Sequence, residues 1–137
     1  MLKRTPLKRG TKGLKRTPLR HRSKNRIWSS AKADIEFSKY IRGRDGKCVR
    51  CGRMANLQCS HFWSRGRSST RYSPENCDTL CYACHYGNIN GWEGNKQGEY
   101  RDFKIKQLGE KGYRDLEILA HTIVQRRDAI LSLMNLI

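Results

Sequence analysis

Two Cys-x-x-Cys pairs lie about thirty residues apart in the middle of the chain. Each pair can direct two thiolates at the same ion, and four thiolates in a tetrahedral arrangement are a common ligand set for structural zinc. The sequence therefore predicts one zinc ion that joins the two ends of residues 48–85. The predicted zinc ligands are Cys48, Cys51, Cys81 and Cys84.

Two histidines and an asparagine lie in the same segment. Phosphodiester hydrolysis needs a base that activates water and a divalent cation that stabilises charge on the phosphate and on the leaving oxygen. His61 is the candidate base, His85 is a candidate ligand of the cation, and Asn76 could fix the loop that orients the His61 ring. Simpler interpretations are a core histidine for His61, a fourth zinc ligand or a helix-terminal residue for His85, and a turn residue for Asn76.

The surrounding sequence predicts the elements that position these side chains. A serine followed by apolar residues at helical spacing predicts a helix from residue 29 or 30 to residue 42, stopped by the glycines that follow it. Alternation predicts a strand at about 56–62, and a turn at 73–76 leads through a second strand to a short helix that includes His85. A strand, a loop, a strand and a helix around a metal form a ββα unit.

The last third of the chain predicts two more helices. The first is short and ends at Gly109, and the second is a long amphipathic helix from Leu116 to Ile137. The long helix is expected to cover the core or to pair with a second copy of the chain, which would make a homodimer. The predicted fold is α+β, with a small zinc-stabilised ββα-metal core at 48–90 and flanking helices in a domain that spans 29–137.

Residues 1–28 form a basic tail before this domain. The whole chain has 29 Lys and Arg against 12 Asp and Glu, a formal net charge of +17, which favours a polyanionic partner such as nucleic acid. The tail has few apolar side chains and repeats Leu-Lys-Arg-Thr-Pro-Leu, so it is predicted to be disordered and to bind phosphates without sequence preference. Its candidate DNA contacts are Lys3, Arg4, Lys8, Arg9, Lys15 and Arg16.

The loop after His61 carries three further arginines, Arg65, Arg67 and Arg71. A guanidinium group presents several N–H donors in a fork that matches a phosphate. One or more of these side chains could therefore position a nucleic-acid backbone next to the cation, and all three are candidate DNA contacts.

Membrane association and export are disfavoured by the sequence. The chain has no run of eighteen or more apolar residues, and its basic start lacks the apolar region of a secretory signal. Cysteine pairs beside a histidine favour metal thiolates in a reducing compartment rather than disulfides. We therefore expect a cytoplasmic protein in which the two remaining cysteines, Cys59 and Cys77, are small buried thiols.

The joint spacing of these residues resembles a known class of nucleases. Ser60-His61, Asn76 and Cys84-His85, set between two Cys-x-x-Cys pairs, look like the HNH branch of the His-Me finger nucleases. The chain is more narrowly similar to phage NinG-type recombination nucleases, closely over the segment between the cysteine pairs and more loosely to about residue 117. The residues that carry this narrower likeness are His61-Phe62, Arg71-Tyr72, Asn76, Cys81-x-x-Cys84, Tyr100, Leu108-Gly109 and Leu116-Glu117.

The resemblance implies a ββα-metal fold, a structural zinc and metal-dependent cleavage of DNA, with a preference for branched recombination intermediates. It implies that His61 is the general base, that Asn76 is the middle asparagine of the motif, and that His85 is a ligand of a catalytic Mg²⁺ or Mn²⁺. A phage or prophage protein of this kind would act in the bacterial host cell.

Ser60 departs from the family pattern. HNH enzymes usually carry an acidic residue directly before the base, where it binds the cation, and a serine is a poor ligand. Asp78, two residues after Asn76, is the candidate that replaces it, although substrate phosphates and water could instead complete the coordination shell. The opposing hypothesis is a non-catalytic zinc protein that binds DNA as an accessory factor in recombination or regulation, in which Ser60 marks a decayed site.

Overall fold

The computed structural model describes residues 26–87 and 89–137, which contain four helices and a two-stranded sheet. The α+β class is therefore confirmed. Predictions that concern residues 1–25, including the six basic contacts of the tail, lie outside these ranges. The elements are helix α1 (Ser30–Asp45), strand β1 (Leu57–His61), a 3-10 turn (Pro74–Asn76), strand β2 (Cys77–Cys81) and helices α2 (Tyr82–Tyr86), α3 (Gln97–Ala120) and α4 (Arg126–Leu136).

The two strands form an antiparallel pair that leads directly into α2. Ser60 pairs with Asp78 in the register, and His61 pairs with Cys77. Because side chains alternate along a strand, Cys59 and His61 share one face with Cys77, and Ser60 and Asp78 share the other. The predicted order of strand, loop, strand and short helix is present, with the first strand within one residue of its expected bounds.

Helix α1 is capped at both ends by residues that the sequence indicated. The Ser29 side chain accepts a hydrogen bond from the Lys32 amide at 3.3 Å, and the Gly46 amide donates to the Arg42 carbonyl at 2.9 Å. Gly46 adopts the left-handed conformation of a C-cap, with φ 67°. The helix therefore continues to Asp45, three residues beyond its predicted end at 42.

Two hydrophobic clusters cover the faces of the sheet. The first joins α1 and α4 to the Cys77 side of the sheet, with Phe37, Ile41, Ile130 and Leu133 at its centre. The second joins the cysteine-rich segment to α3 and consists of Cys48, Leu80, Cys81, Trp92 and Tyr100. The small sheet is thus held between helices on both sides.

The C-terminal helices agree with the prediction at Gly109 and differ from it further on. Gly109 is non-helical at φ 73° and ψ 166°, so the first helical segment ends there as predicted, and α3 consists of two helical segments that meet at a kink. The predicted single helix from Leu116 to Ile137 is wrong, because α3 ends at Ala120 and α4 begins only at Arg126. Three consecutive β-branched residues, 122–124, lie in this break and disfavour a helix.

The apolar face of α4 is used within the chain. Ala129, Ile130 and Leu133 are buried in the cluster that also contains Phe37 and Ile41 of α1. The homodimer through this helix stays a prediction, and it would have to use the more exposed face. Across the described residues, no helix combines the length and the apolarity that a membrane crossing requires.

Candidate active site and metal centre

The four cysteines of the two Cys-x-x-Cys pairs converge on one point. Their sulfur atoms all lie within 4.8 Å of one another, and the Sγ atoms of Cys51 and Cys81 are 3.7 Å apart. A tetrahedral zinc with Zn–S bonds of roughly 2.3 Å places its sulfurs about 3.8 Å apart. The cluster therefore has the dimensions to hold a metal ion such as zinc.

Backbone hydrogen bonds close the turn after Cys48. The Gly52 amide donates to the Cys48 carbonyl at 2.8 Å, and the Cys48 amide donates to the Arg53 carbonyl at 2.8 Å. Burial raises the pKa of the Cys48 thiol, but the amides of Cys81, Cys51 and Arg50 outweigh burial and lower it to about 7. The thiolate is therefore favoured at Cys48, whereas burial and the neighbouring thiols raise the pKa of Cys84.

The candidate base and the candidate cation ligand face one open cavity of about 490 Å³ along the exposed edge of β1. His61 reaches the cavity from the end of β1, and His85 reaches it from α2. The main residues that line the cavity are Gln58, His61, Arg65, His85, Tyr86 and Glu93.

The His61 ring is held in one orientation. Its Nε2 lies 3.1 Å from the Arg71 carbonyl oxygen, so this nitrogen carries the hydrogen and Nδ1 keeps a free lone pair. Burial lowers the pKa of His61 to about 4. The hydrogen bond to the Arg71 carbonyl opposes this effect, and the positive charge of Arg65 adds to it. The ring is neutral at pH 7 and able to accept a proton.

Asn76 fixes the loop that supplies the Arg71 carbonyl. Its Oδ1 accepts from the Trp63 amide at 2.8 Å, and its Nδ2 donates to the carbonyls of Trp63 at 2.9 Å and Thr70 at 3.0 Å. The side chain is fully buried, so these bonds have little competition from water. Asn76 therefore links the two ends of the loop between Trp63 and Thr70.

His85 is oriented by Gln58 and faces a carboxylate. Its Nδ1 lies 2.8 Å from Gln58 Oε1 and donates to it. Nε2 lies 2.7 Å from Glu93 Oε1, so the two side chains form an ion pair when the ring is protonated. In the neutral ring Nε2 has a lone pair, and the same two atoms are then placed as neighbouring ligands of one cation would be.

Glu93 is the site residue that the sequence analysis missed. Its Oε1 also accepts from the Ser60 hydroxyl at 3.3 Å, so a carboxylate lies against the serine that precedes the base. Burial raises the pKa of Glu93. His85, the His61 amide and Ser60 together lower it by more, so the pKa of Glu93 lies below its usual range. One feature of the sequence could have indicated Glu93: it is the single acidic residue of the glycine-rich link and follows Trp92 directly. Trp92 is buried, and its ring stacks on Tyr100 with the ring centroids 4.5 Å apart.

Asp78 does not lie at this cavity, and its prediction as the cation ligand is not supported. Its carboxylate is fully buried on the face of the sheet opposite to His61. It forms an ion pair of 2.6 Å with Lys104 and accepts hydrogen bonds from Tyr100 at 2.9 Å and Gln107 at 3.0 Å. These donors from α3 occupy the oxygens that a cation would need.

The ion pair between Asp78 and Lys104 predicts a large effect on stability. Asp78→Asn is expected to lower the free energy of unfolding by about 3–5 kcal/mol, because it leaves a buried ammonium group without its counter-charge. Chemical denaturation followed by circular dichroism measures this change. The matched control is Asp115→Asn, which breaks an exposed pair with Lys111 at the same 2.6 Å and should leave unfolding nearly unchanged. Equal effects of the two substitutions would contradict the prediction.

The three loop arginines differ in their contacts. Arg71 forms two hydrogen bonds with the Asp34 carboxylate, at 2.9 and 2.6 Å, so its guanidinium is committed to the fold. Arg67 donates to the Ala120 carbonyl at 2.9 Å and lies over the Trp63 ring. Arg65 is exposed and lines the cavity beside His61. Of the three, Arg65 is therefore the best placed to meet a phosphate at the cavity.

Comparison of the chain with protein-family models, curated proteins and solved structures found no match.

Proposed function

We propose that this protein is a metal-dependent DNA endonuclease that hydrolyses phosphodiester bonds in the manner of the HNH nucleases. The observation that carries the proposal is the arrangement of His61, His85 and Glu93 around one open cavity. A base with a fixed ring and a pair of cation ligands are the components that this reaction needs.

His61 is the general base in this proposal. Its Nδ1 accepts the proton of a water molecule while the Arg71 carbonyl holds Nε2. The activated water attacks the phosphorus atom, the bond from phosphorus to the leaving oxygen breaks, and that oxygen takes a proton from solvent water. The Asn76 hydrogen bonds keep this loop in place during the reaction. Arg65 contacts a non-bridging oxygen and positions the phosphate in the cavity.

His85 and Glu93 are the proposed ligands of the catalytic cation. Two ligands in neighbouring positions of an octahedral Mg²⁺ lie about 3 Å apart, since each bond is roughly 2.1 Å. The 2.7 Å between His85 Nε2 and Glu93 Oε1 fits this spacing. A cation bound here would stabilise negative charge on the phosphate and on the leaving oxygen. Glu93 would thus replace the acidic residue that Ser60 lacks.

The four-cysteine cluster has a separate, structural role in the proposal. Cys84 directly precedes His85, so zinc at the cluster would fix the start of α2 and with it the position of the His85 ring. Mg²⁺ and Mn²⁺ prefer oxygen and nitrogen ligands, whereas the thiolates select zinc. The chain would therefore use two metals at two sites.

DNA is the proposed substrate because of charge and access. The net charge of +17 suits a phosphate backbone, and the cavity is open along the edge of β1. Branched recombination intermediates are the substrates that the NinG-type resemblance implies.

Removal of the basic tail tests its proposed role in binding. A chain without residues 1–26 is expected to bind every DNA more weakly and with a flatter dependence on salt, because each lost phosphate contact lowers the salt slope by about 0.9. Fluorescence anisotropy at several salt concentrations measures this slope. An unchanged slope would show that the tail does not contact phosphates.

A cleavage panel tests the proposed function. The zinc-loaded protein is incubated with labelled four-way junction, flap, single-stranded and duplex DNA in the presence of Mg²⁺ or Mn²⁺. We expect cleavage of at least the branched substrates. Binding without cleavage of any substrate, in either cation, would favour the non-catalytic accessory protein.

A further inference from the structure

A second cluster of metal-binding atoms lies beside the candidate base. One donor atom from each of Cys59, His61 and Cys77 lies within 4.8 Å of the other two. The strand register explains this cluster, because His61 is directly opposite Cys77 and Cys59 is two residues before His61 on the same face. We propose that these three residues form a second metal site, selective for thiophilic ions such as zinc, that regulates the base.

The ligand set favours a soft metal. Two sulfurs and one imidazole nitrogen match zinc and similar ions, while Mg²⁺ and Mn²⁺ prefer oxygen. Cys77 is fully buried, and Cys59 and His61 line a small cavity of about 80 Å³. This cavity gives room for a fourth, non-protein ligand, so the site resembles a three-ligand zinc site more than a closed structural one.

The charges at the site balance when an ion binds. Cys59 and Cys77 lose one proton each, and the two thiolates neutralise a divalent ion. The Asp34 carboxylate, which also lines the small cavity, is already paired with Arg71. The site therefore gains no net charge in the partly buried space next to α1.

Binding at this site would block the proposed base. The Arg71 carbonyl holds His61 Nε2, so Nδ1 is the ring nitrogen with a free lone pair. That lone pair cannot bind a metal and accept a proton from water at the same time. This regulatory consequence rests on the proposed function, whereas the binding of the metal does not.

Zinc stoichiometry tests the binding. Protein with one zinc per chain is titrated with further zinc, and native mass spectrometry counts the bound ions. We expect the wild type to take a second ion, and Cys59→Ser and His61→Ala to lose it or to bind it about 10- to 100-fold more weakly. Cys59→Ser keeps the size of the side chain and removes only the soft ligand. A wild type that stays at one zinc, or variants that fill the second site equally well, would overturn the proposal.

Inhibition tests the regulatory part separately. For each protein, the ratio of cleavage rates with and without the second equivalent of zinc is measured at fixed Mn²⁺. This ratio should lie well below one for the wild type and near one for Cys59→Ser. The same ratio for both proteins would refute the regulation. If no protein cleaves DNA, the proposed function fails, and the stoichiometry still decides whether the metal site exists.

Discussion

Replacement of His61 with alanine is expected to reduce DNA cleavage by about 10²- to 10⁴-fold, the range that general-base catalysis contributes. The substitution is expected to remove the proposed base without disturbing the fold. Among the described residues, no hydrogen bond joins the His61 side chain to the four-cysteine cluster, and the Asn76 hydrogen bonds that hold the loop do not involve His61. Single-turnover cleavage of a labelled substrate measures the loss, and zinc content and thermal unfolding should stay close to those of the wild type.

The matched control for this substitution is His121→Ala. His121 is exposed at the end of α3, where its Nδ1 contacts only the Glu117 carbonyl at 2.8 Å and its ring packs near Trp63. Its removal should leave the cleavage rate nearly unchanged. Retained cleavage in His61→Ala, with the fold intact, would show that another group is the base.

Removal of zinc from the four-cysteine cluster is expected to unfold the part of the protein that holds the proposed catalytic side chains. Cys48 and Cys81 belong to the buried cluster that includes Leu80, Trp92 and Tyr100. Without a metal, Cys48 and Cys81 are no longer linked to each other through a bound ion, and the buried cluster loses this cross-link. Apparent binding free energies of structural zinc are about 10–16 kcal/mol in zinc-finger peptides, which is comparable to the whole stability of a typical domain.

A chelator titration followed by far-ultraviolet circular dichroism measures this effect. Helix content should fall as zinc leaves, and added zinc should restore it while added magnesium should not. Cys81→Ser provides the genetic counterpart, because it removes a buried ligand and changes little else. A metal-free protein with the same melting temperature as the zinc-loaded protein would contradict a structural role for the cluster.

Some of the site could be predicted because its residues are close in sequence. Each Cys-x-x-Cys pair forms within one turn, and the strand that ends at His61 has a local pattern. Glu93 could not be predicted in this way. It meets Ser60 only because Trp92 anchors the glycine-rich link on Tyr100 of α3, and that contact depends on the packing of the whole domain.

Asp78 shows the opposite error. Its position two residues after Asn76 suggested a place at the cation, but the strand register turns its side chain to the face covered by α3. There Lys104, a residue that usually stays exposed, is fully buried as its partner. A buried lysine leaves no periodic signal in the sequence, so the ion pair became evident only from the three-dimensional arrangement.

The helix ends show what a glycine alone can predict. Gly43 and Gly46 both follow the predicted end of α1 at residue 42, but Gly43 lies inside the helix and Gly46 takes the left-handed conformation that ends it. Gly109 takes a similar φ and interrupts α3, as its place in the sequence predicted. The interruption at Gly109 could therefore be predicted, whereas the choice between Gly43 and Gly46 could not.

The Mn²⁺ dependence of cleavage tests the central claim most directly, namely that His85 and Glu93 hold a cation beside the base. The rate of DNA cleavage by the zinc-loaded protein is measured against Mn²⁺ concentration for the wild type and for Glu93→Gln, which keeps the shape of the side chain and removes its charge. We predict saturable cleavage that requires added Mn²⁺, with the half-saturating concentration raised at least about tenfold in Glu93→Gln. Full cleavage without added cation, or the same half-saturating concentration for both proteins, would contradict the claim.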